Sequence, residues 1–194
     1  MIQSRTKENS PDSGSTIVSR YASHLRLHVL RAELPSLTAH LIFWPLVAGG
    51  LALDLWSKAA VFDWLHRQGR ASFPVIDGFL RLVMALNDGA AFGLFRGKPH
   101  WLAAVSVVAL IMVLAVFLFG SVKHKLMHVA LGLFTAGVLG NLYDRIFNDG
   151  LVRDFIDIVY WPGRHWPAFN VADSMLCIAV ALLIISMLIT QKSP

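Results

Sequence analysis

Four stretches of this chain are apolar over a length that can cross a lipid bilayer. They are residues 41–62, 101–120, 126–147 and 169–190. About 20 residues in helical conformation cross the roughly 30 Å of hydrocarbon in a membrane, and helices satisfy their own backbone polar groups there. The 194-residue chain is 56% hydrophobic and only 15% charged, unlike most soluble domains. The sequence therefore predicts an all-α membrane protein, a four-transmembrane-helix bundle.

The connections between these spans differ in length and character. Spans two and three are joined only by SVKHK, so we expect them to be antiparallel neighbours. The stretch FPVIDGFLRLVMALNDGAAFGLF mixes β-favouring residues with turn signals, which predicts a small sheet or hairpin on the membrane surface within 63–100. FDWLHRQGR, just before it, could form a short interfacial helix.

The N-terminal 40 residues are polar and then basic. We expect residues 1–20 to be disordered and 21–40 to approach the membrane as an amphipathic segment. No apolar run ending in a small-residue cleavage site follows the first methionine, so a cleaved signal peptide is not predicted. Lys and Arg number eight on each side of the membrane with these boundaries, so charge alone does not orient the chain.

Composition argues against several classes of function. The net charge of +5 comes from scattered basic residues, which suit lipid head groups better than nucleic acid. The single cysteine, Cys177, lies inside the last apolar run, so neither a disulfide framework nor a thiolate metal cluster is predicted. No HExxH motif is present, and we expect no metal or organic cofactor.

Span one carries two ionisable residues, Asp54 and Lys58, four positions apart. On a helix they share a face, with the acid first, which is the favourable order for an ion pair. Charges inside a membrane usually face the bundle interior and need partners. Two interpretations remain open: a structural pair that holds span one to its neighbours, or support for a site near the end of this span.

Span three ends in GNLYDR, which places Asn141, Asp144 and Arg145 on one face of its last turn. Upstream, Ala136 and Gly140 form a pair of small residues four apart, which permits close approach of another helix. The polar residues could be simple interface anchors, or they could line a site.

Span four begins with FNVADS, where Asn170 and Asp173 resemble a helix N-cap and an acidic first turn. Asp154, in VRDFID, is harder to explain because apolar residues follow it. Spans three and four have their polar ends on the same side, linked by 151–168, so Asp154 and Asp173 could converge at one membrane–water boundary. Two carboxyl groups in a partly dry site share a proton, and can take a proton from water and return one to a leaving amine.

Two other classes of protein also place charges inside a helix bundle. A proton-coupled transporter or channel usually carries them near the midplane, on broken helices or in repeated halves. A non-catalytic assembly factor would use them only to hold helices together. Here the acids of spans three and four cluster at one end and no repeat is visible, which favours a hydrolytic site.

Five short motifs carry a resemblance to a known family. DLWSK, NDGAAFG, GNLYDR, LVRDFID and FNVADS occur in the order expected of lipoprotein signal peptidases, also called signal peptidase II, over residues 45–190. That family consists of bacterial inner-membrane aspartyl proteases, which remove the signal peptide of a prolipoprotein before a diacylglyceryl-modified cysteine. The resemblance implies a periplasmic β-sheet cradle with a surface helix over 63–100.

The resemblance also implies roles for individual residues. The catalytic pair falls on Asp154 and Asp173. The residues that would bind substrate or support the site are Asn141, Arg145, Asn170, Asn87, Gly89, Asp54, Lys58 and Asp144. Arg153 stands where the family more often has an apolar residue, and is expected to act on the pKa of its catalytic neighbour.

The remaining implications concern mechanism and setting. One ionised aspartate would activate water, and the protonated one would hydrogen-bond the scissile carbonyl. The expected partners are diacylglyceryl-prolipoprotein substrates and membrane lipids, with the chain acting as a monomer. The termini of the chain, including the extension over 1–40, would lie in the cytoplasm, and the site of the 41–190 domain would lie near the periplasmic face.

Overall fold

The computed structural model describes residues 34–89, 95, 97–120, 122 and 124–191. Its helices are α1 (Leu37–Arg67), α2 (Pro99–Phe119), α3 (Lys125–Phe147) and α4 (Val171–Gln191). Its strands are β1 (Ser72–Ile76), β2 (Leu80–Asn87), β3 (Val152–Trp161) and β4 (Arg164–His165). All four helices are long and apolar enough to cross a membrane, as the sequence predicts. Most of the N-terminal extension, 1–33, lies outside the described residues.

Helix α1 is longer than the first predicted span. It begins after Ser36, whose hydroxyl accepts a hydrogen bond from the Ala39 amide (3.2 Å), and it runs on to Arg67. The short interfacial helix expected at FDWLHRQGR is therefore not separate, because its first six residues complete α1. No glycine or proline interrupts them, and Gly69, with a φ of 61°, follows the end of the helix. Residues 68–89 form strands and turns. The surface helix expected within 63–100 is therefore absent from residues 68–89.

The sheet draws on two distant parts of the chain. Its order is β1-β2-β3-β4 with antiparallel neighbours, so the predicted hairpin of β1 and β2 is extended by β3 and β4. These last strands arise from residues 151–168, which the sequence had identified only as a link between spans. Leu82 pairs with Ile156 and Ala85 with Asp154, and the register shifts between these two pairs. Such an irregularity re-aims the side chains beside it.

Helix α3 is the most buried of the four, and it packs against the other three. Small residues make this possible, as the sequence predicts. A Cβ on Gly137 would lie 2.7 Å from the Ala172 carbonyl oxygen, and one on Gly140 would collide with the Asp54 carboxylate. At the other end of the bundle, the stacked rings of Phe43 and Phe117 (4.0 Å between centroids) form the centre of an apolar core.

Glycine 140 offers a direct test of this packing. We expect Gly140→Ala to lower the free energy of unfolding by about 1–3 kcal/mol, because overpacking forces neighbouring groups apart. The matched control is Gly49→Ala, also within a spanning helix, where a new Cβ would meet none of the described atoms within 4 Å. That control should be neutral or slightly stabilising. Thermal unfolding in detergent measures both, and equal melting temperatures would contradict the close approach.

Candidate active site

Strand β3 places Asp154 in the interior, with only 2% of its surface exposed. Its carboxylate is held by two amide side chains. Asn170 Nδ2 donates to Oδ1 at 2.7 Å, and Asn87 Nδ2 donates to Oδ2 at 3.0 Å. The oxygens therefore have a defined orientation in a site that is largely removed from water.

Asp173 lies in the first turn of α4. Its Oδ2 accepts the Asn170 backbone N–H at 3.2 Å, while Asn170 Oδ1 accepts the Asp173 N–H at 2.9 Å. This reciprocal pair is the N-cap arrangement that the sequence predicts. The other oxygen, Oδ1, accepts a hydrogen bond from Asn141 Nδ2 at 2.8 Å. The cap thus leaves half of this carboxylate for contacts with α3.

Two asparagines connect the carboxyl groups. Asn170 Nδ2 contacts both Asp154 and Asn141 Oδ1 (2.7 and 3.1 Å), and Asn141 in turn donates to Asp173. Asn170 itself is fully buried. The acids, from β3 and α4, are therefore held in one hydrogen-bonded unit by side chains of α3 and the α4 N-terminus.

Both aspartates line a cavity of about 780 Å³. Its polar lining comprises Asn87, Asp88, Gly89, Asn141, Arg145, Asp154, Asp173 and Ser174. Its apolar lining includes Leu86, Val152, Trp166, Phe169, Leu176 and Ile178. Cys177, which is exposed, also lines the cavity. Because its lining is both polar and apolar, the cavity can take a peptide backbone together with an apolar group. Within the described part of the chain, no three His, Cys, Asp or Glu residues are arranged to hold a metal ion.

The pKa of Asp154 is raised from 3.8 to about 7. Burial is the largest cause, followed by repulsion from the Asp173 charge. The hydrogen bonds from Asn87 and Asn170 and the attraction of Lys58 act in the opposite direction, and lower the pKa. Near neutral pH this carboxyl group therefore exists in both protonation states, as general acid–base chemistry requires.

Arg145 connects α3 to the turn after β2. Its Nη2 donates to the Gly89 carbonyl oxygen at 3.0 Å and its Nη1 to the Asn141 carbonyl oxygen at 3.3 Å. The Gly89 N–H donates to Asn87 Oδ1 at 2.9 Å, so this turn also orients the amide that reaches Asp154. Arg145 is more than an interface anchor, because it holds a segment of the sheet beside the carboxyl pair.

Below the carboxyl pair lies a buried ion network. Lys58 Nζ contacts Asp54 at 2.7 Å and Asp144 at 3.2 Å, and all three side chains have no exposed surface. The same ammonium donates to Asn141 Oδ1 at 3.1 Å, and Asp54 Oδ1 accepts the Ala172 N–H at 2.8 Å. The pair predicted from sequence therefore holds α1 to α3 and α4. Through Lys58 the pair also contacts Asn141, which donates to Asp173, so a supporting role for the candidate site stays a prediction that these contacts make possible.

Two charged residues of β3, Arg153 and Asp157, make ion pairs that the sequence did not predict. The Arg153 side chain binds Asp144 at 2.6 Å, and the charges that act most on the Asp154 pKa are those of Asp173 and Lys58. The expected influence of Arg153 on that pKa is thus replaced by an ion pair. Asp157 lies 2.9 Å from His165 Nδ1 and 3.8 Å from Arg81, within the sheet and outside the cavity lining of the described residues. Strand alternation would have indicated that Arg153 and Asp154 face opposite ways.

The chain combines four helices long and apolar enough to span a membrane with a pair of carboxyl groups that line one cavity. Asp154 is buried and Asp173 is half-buried. These features define a membrane protein with paired carboxyl groups at a cavity. A sequence profile described as signal peptidase (SPase) II matches residues 46–189, and the chain belongs to that family. It is thus a multi-pass bacterial membrane protein of a peptidase family.

Relatives and solved structures agree with this assignment. The lipoprotein signal peptidase of Syntrophus aciditrophicus is 39% identical, over 78% of this chain and 96% of that protein. The lipoprotein signal peptidase of Geobacter sulfurreducens is 41% identical, over 78% and 94%. Two bacterial membrane enzyme structures, determined by the in meso method, are each 31% identical. The first has a TM-score of 0.68, and the match covers 83% of this chain and 94% of that structure's chain. The second has a TM-score of 0.65, and the match covers 84% of this chain and 99% of that structure's chain.

Proposed function

We propose that this chain is an intramembrane aspartic endopeptidase that removes signal peptides from diacylglyceryl-modified prolipoproteins. The bond cleaved is the one before the lipidated cysteine, and the catalytic groups are Asp154 and Asp173. One observation carries the proposal: two carboxyl groups from separate elements are held by hydrogen-bonded asparagines at the wall of a cavity lined by polar and apolar residues.

The raised pKa of Asp154 supports a division of labour between the two acids. Asp154, with its raised pKa, holds the proton and donates a hydrogen bond to the scissile carbonyl oxygen. Asp173, ionised, takes a proton from water as the water oxygen attacks the carbonyl carbon. The tetrahedral intermediate then collapses as the C–N bond breaks, and the amine leaves with a proton passed through the pair. Asn141, Asn170 and Arg145 orient the carboxyl pair and the peptide backbone.

The apolar lining of the cavity supports recognition of the lipid on the substrate. Leu86, Trp166, Leu176 and Ile178 belong to this lining, in the same cavity as the carboxyl groups. Diacylglyceryl chains would lie against them and remove apolar surface from water, so that lipidation contributes to binding. Such a substrate enters sideways from the bilayer rather than from the aqueous phase.

The orientation of the chain follows as part of the same proposal. The termini lie in the cytoplasm and the sheet with the cavity lies at the periplasmic face, where signal peptides of exported lipoproteins end. Every group named in the mechanism comes from one chain, which supports a monomer as the working unit. The peptidase domain predicted over 41–190 then begins with α1 at Leu37, and the residues before this helix form a cytoplasmic extension.

The test is cleavage by purified protein in detergent or lipid bilayers, with product masses measured. We expect a prolipoprotein carrying diacylglyceryl-cysteine to be cut at one bond, on the N-terminal side of that cysteine. The matched substrate with an unmodified cysteine should be cut much more slowly. Equal cleavage of both would remove the role of the lipid, and cleavage of neither, under conditions where a related peptidase works, would contradict the proposed function.

The pH dependence of cleavage tests the assignment of the proton to Asp154. Activity should fall as pH rises through about 7, because Asp154 then loses its proton. The Asn87 hydrogen bond favours the charged form, so Asn87→Ala raises the pKa and moves this falling limb to higher pH. A hydrogen bond to a charged group contributes about 1.5 kcal/mol, and a pKa unit corresponds to about 1.4 kcal/mol, so the shift should be about one unit.

The control for this measurement is Asn148→Ala, which removes an amide that donates to the Leu151 carbonyl oxygen (2.9 Å) in the turn between α3 and β3. In Asn148→Ala we expect activity to fall over the same pH range as in the wild-type protein. A limb that stays in place in Asn87→Ala, or moves to lower pH, would show that another group controls it.

A further inference from the structure

Arg153 is adjacent in sequence to Asp154, yet the mechanism above makes no use of it. We infer that Arg153 is a positioning residue for hydrolysis: by clamping Asp144 it holds strand β3, and with it Asp154, against the helix that carries Asn141. The inference rests on the proposed function, since it concerns the same carboxyl pair.

The clamp consists of three donors from one residue on one carboxylate. Arg153 Nη2 and Nε lie 2.6 and 3.1 Å from Asp144 Oδ1, and the Arg153 backbone N–H donates to Oδ2 at 3.0 Å. Asp144 has no exposed surface, whereas 22% of the Arg153 side chain is exposed. A charge-assisted contact of this kind has both strength and directional preference. It fixes the start of β3 relative to the last turn of α3.

The charge balance of the network shows why the clamp matters. Asp54 and Asp144 are two buried acids that share the ammonium of Lys58. Arg153 supplies the second positive charge, so that each acid has a cation. Without the Arg153 side chain, Asp144 would keep its backbone hydrogen bond from residue 153 but would contact only Lys58 as a cation. The attraction would then draw Lys58 away from its contact with Asn141 Oδ1 (3.1 Å). An incompletely paired buried charge is costly, so the network would rearrange.

The consequences reach both catalytic groups by separate routes. Asn141 donates to Asp173, so a shift of Lys58 changes the support of that carboxylate. Asp154 follows Arg153 directly in β3, so a loosened strand displaces it too. Among the described residues, Arg153 is not part of the cavity lining. It therefore acts on the reaction through Asp144 rather than through substrate.

The experiment compares kcat and KM for diacylglyceryl-prolipoprotein cleavage in wild type, Arg153→Met and Arg153→Lys. A misplacement of about 1 Å can cost a hundredfold, so we expect kcat of Arg153→Met to fall by about tenfold to a hundredfold, with KM within about twofold. Arg153→Lys, which keeps the charge, should recover most of the loss. Assays are run well below the melting temperature of each variant, so that unfolded protein does not contribute.

Two further measurements separate a positioning role from a general structural one. The control is Arg81→Met, which removes an arginine that contacts Asp157 and Ser72 in the same sheet, and its kcat should match wild type. In Asp144→Asn, Arg153→Met should cause little additional loss of kcat, because its target charge is gone. Additive losses would overturn the inference.

A wild-type kcat in folded Arg153→Met, or no recovery in Arg153→Lys, overturns the inference while leaving the proposed function intact, provided that Asp154→Asn is inactive. Failure of wild type itself contradicts the proposed function instead. If Arg153→Met does not fold, Arg153→Gln is judged by the same criteria, and failure of both to fold would show that Arg153 serves stability alone.

Discussion

Replacing either Asp154 or Asp173 with asparagine should reduce kcat for prolipoprotein cleavage by about 10³- to 10⁴-fold. Asparagine keeps the shape of each side chain but can neither accept the proton from water nor hold one for the leaving amine. The two losses should not add in the double variant, because the pair acts as a unit. Cleavage is measured with purified protein, alongside thermal unfolding.

The fold should survive these substitutions. Asn170 and Asn87 can still donate to the Oδ1 of an asparagine at 154, one at a time, and an asparagine at 173 can still accept the Asn170 N–H. The matched control is Asp157→Asn on the same strand, where the acid pairs with His165 and Arg81. It should retain kcat near wild type. A folded Asp154→Asn or Asp173→Asn variant with near-normal cleavage would remove that residue from the proposed catalytic pair.

The largest effect on stability is expected for Lys58→Met. The substitution removes the cation shared by Asp54 and Asp144, which have no exposed surface. Breaking a buried ion pair from one side costs about 3–5 kcal/mol, because the remaining charge has lost its partner. Thermal unfolding in detergent should therefore show a much lower melting temperature, or no folded protein.

A second substitution tests the cause. Lys58→Met combined with Asp54→Asn should recover part of the lost stability, since one unpaired acid becomes neutral. The control is Lys125→Met at the exposed start of α3, which should change the melting temperature little. A Lys58→Met variant as stable as wild type would mean that both acids are already uncharged in the folded protein.

Local patterns in the chain predict much of the bundle. Spans two, three and four begin and end within two residues of the predicted boundaries, because hydrophobicity over about 20 residues is a strong signal. Small residues of α3 lie at close helix contacts, and the i, i+4 spacing of Asp54 and Lys58 does form an ion pair. The end of α1 was misjudged, since a helix that leaves the membrane without a glycine or proline has no local reason to stop.

The sheet and the second ion pair are different in kind. β3 pairs with β2 across about 70 residues of sequence. The charged residues of β3 interrupt the alternation of apolar and polar residues that would identify a strand, because their partners lie elsewhere in the fold. Arg153 looked like a neighbour of Asp154 in sequence, but its partner is Asp144 on α3. Neither pairing has a local signature, because each depends on which surfaces the helices bring together.

By itself, the sequence determined that this chain crosses a membrane four times and which acids and amides are available at the ends of its spans, because hydropathy and helical spacing are local properties. Only the tertiary structure decided that Asn170 and Asn141 connect Asp154 to Asp173, and that Lys58 is shared between two acids. Hydrogen bonds and ion pairs between separate elements depend on distances of about 3 Å, which are set by how the helices and the sheet pack.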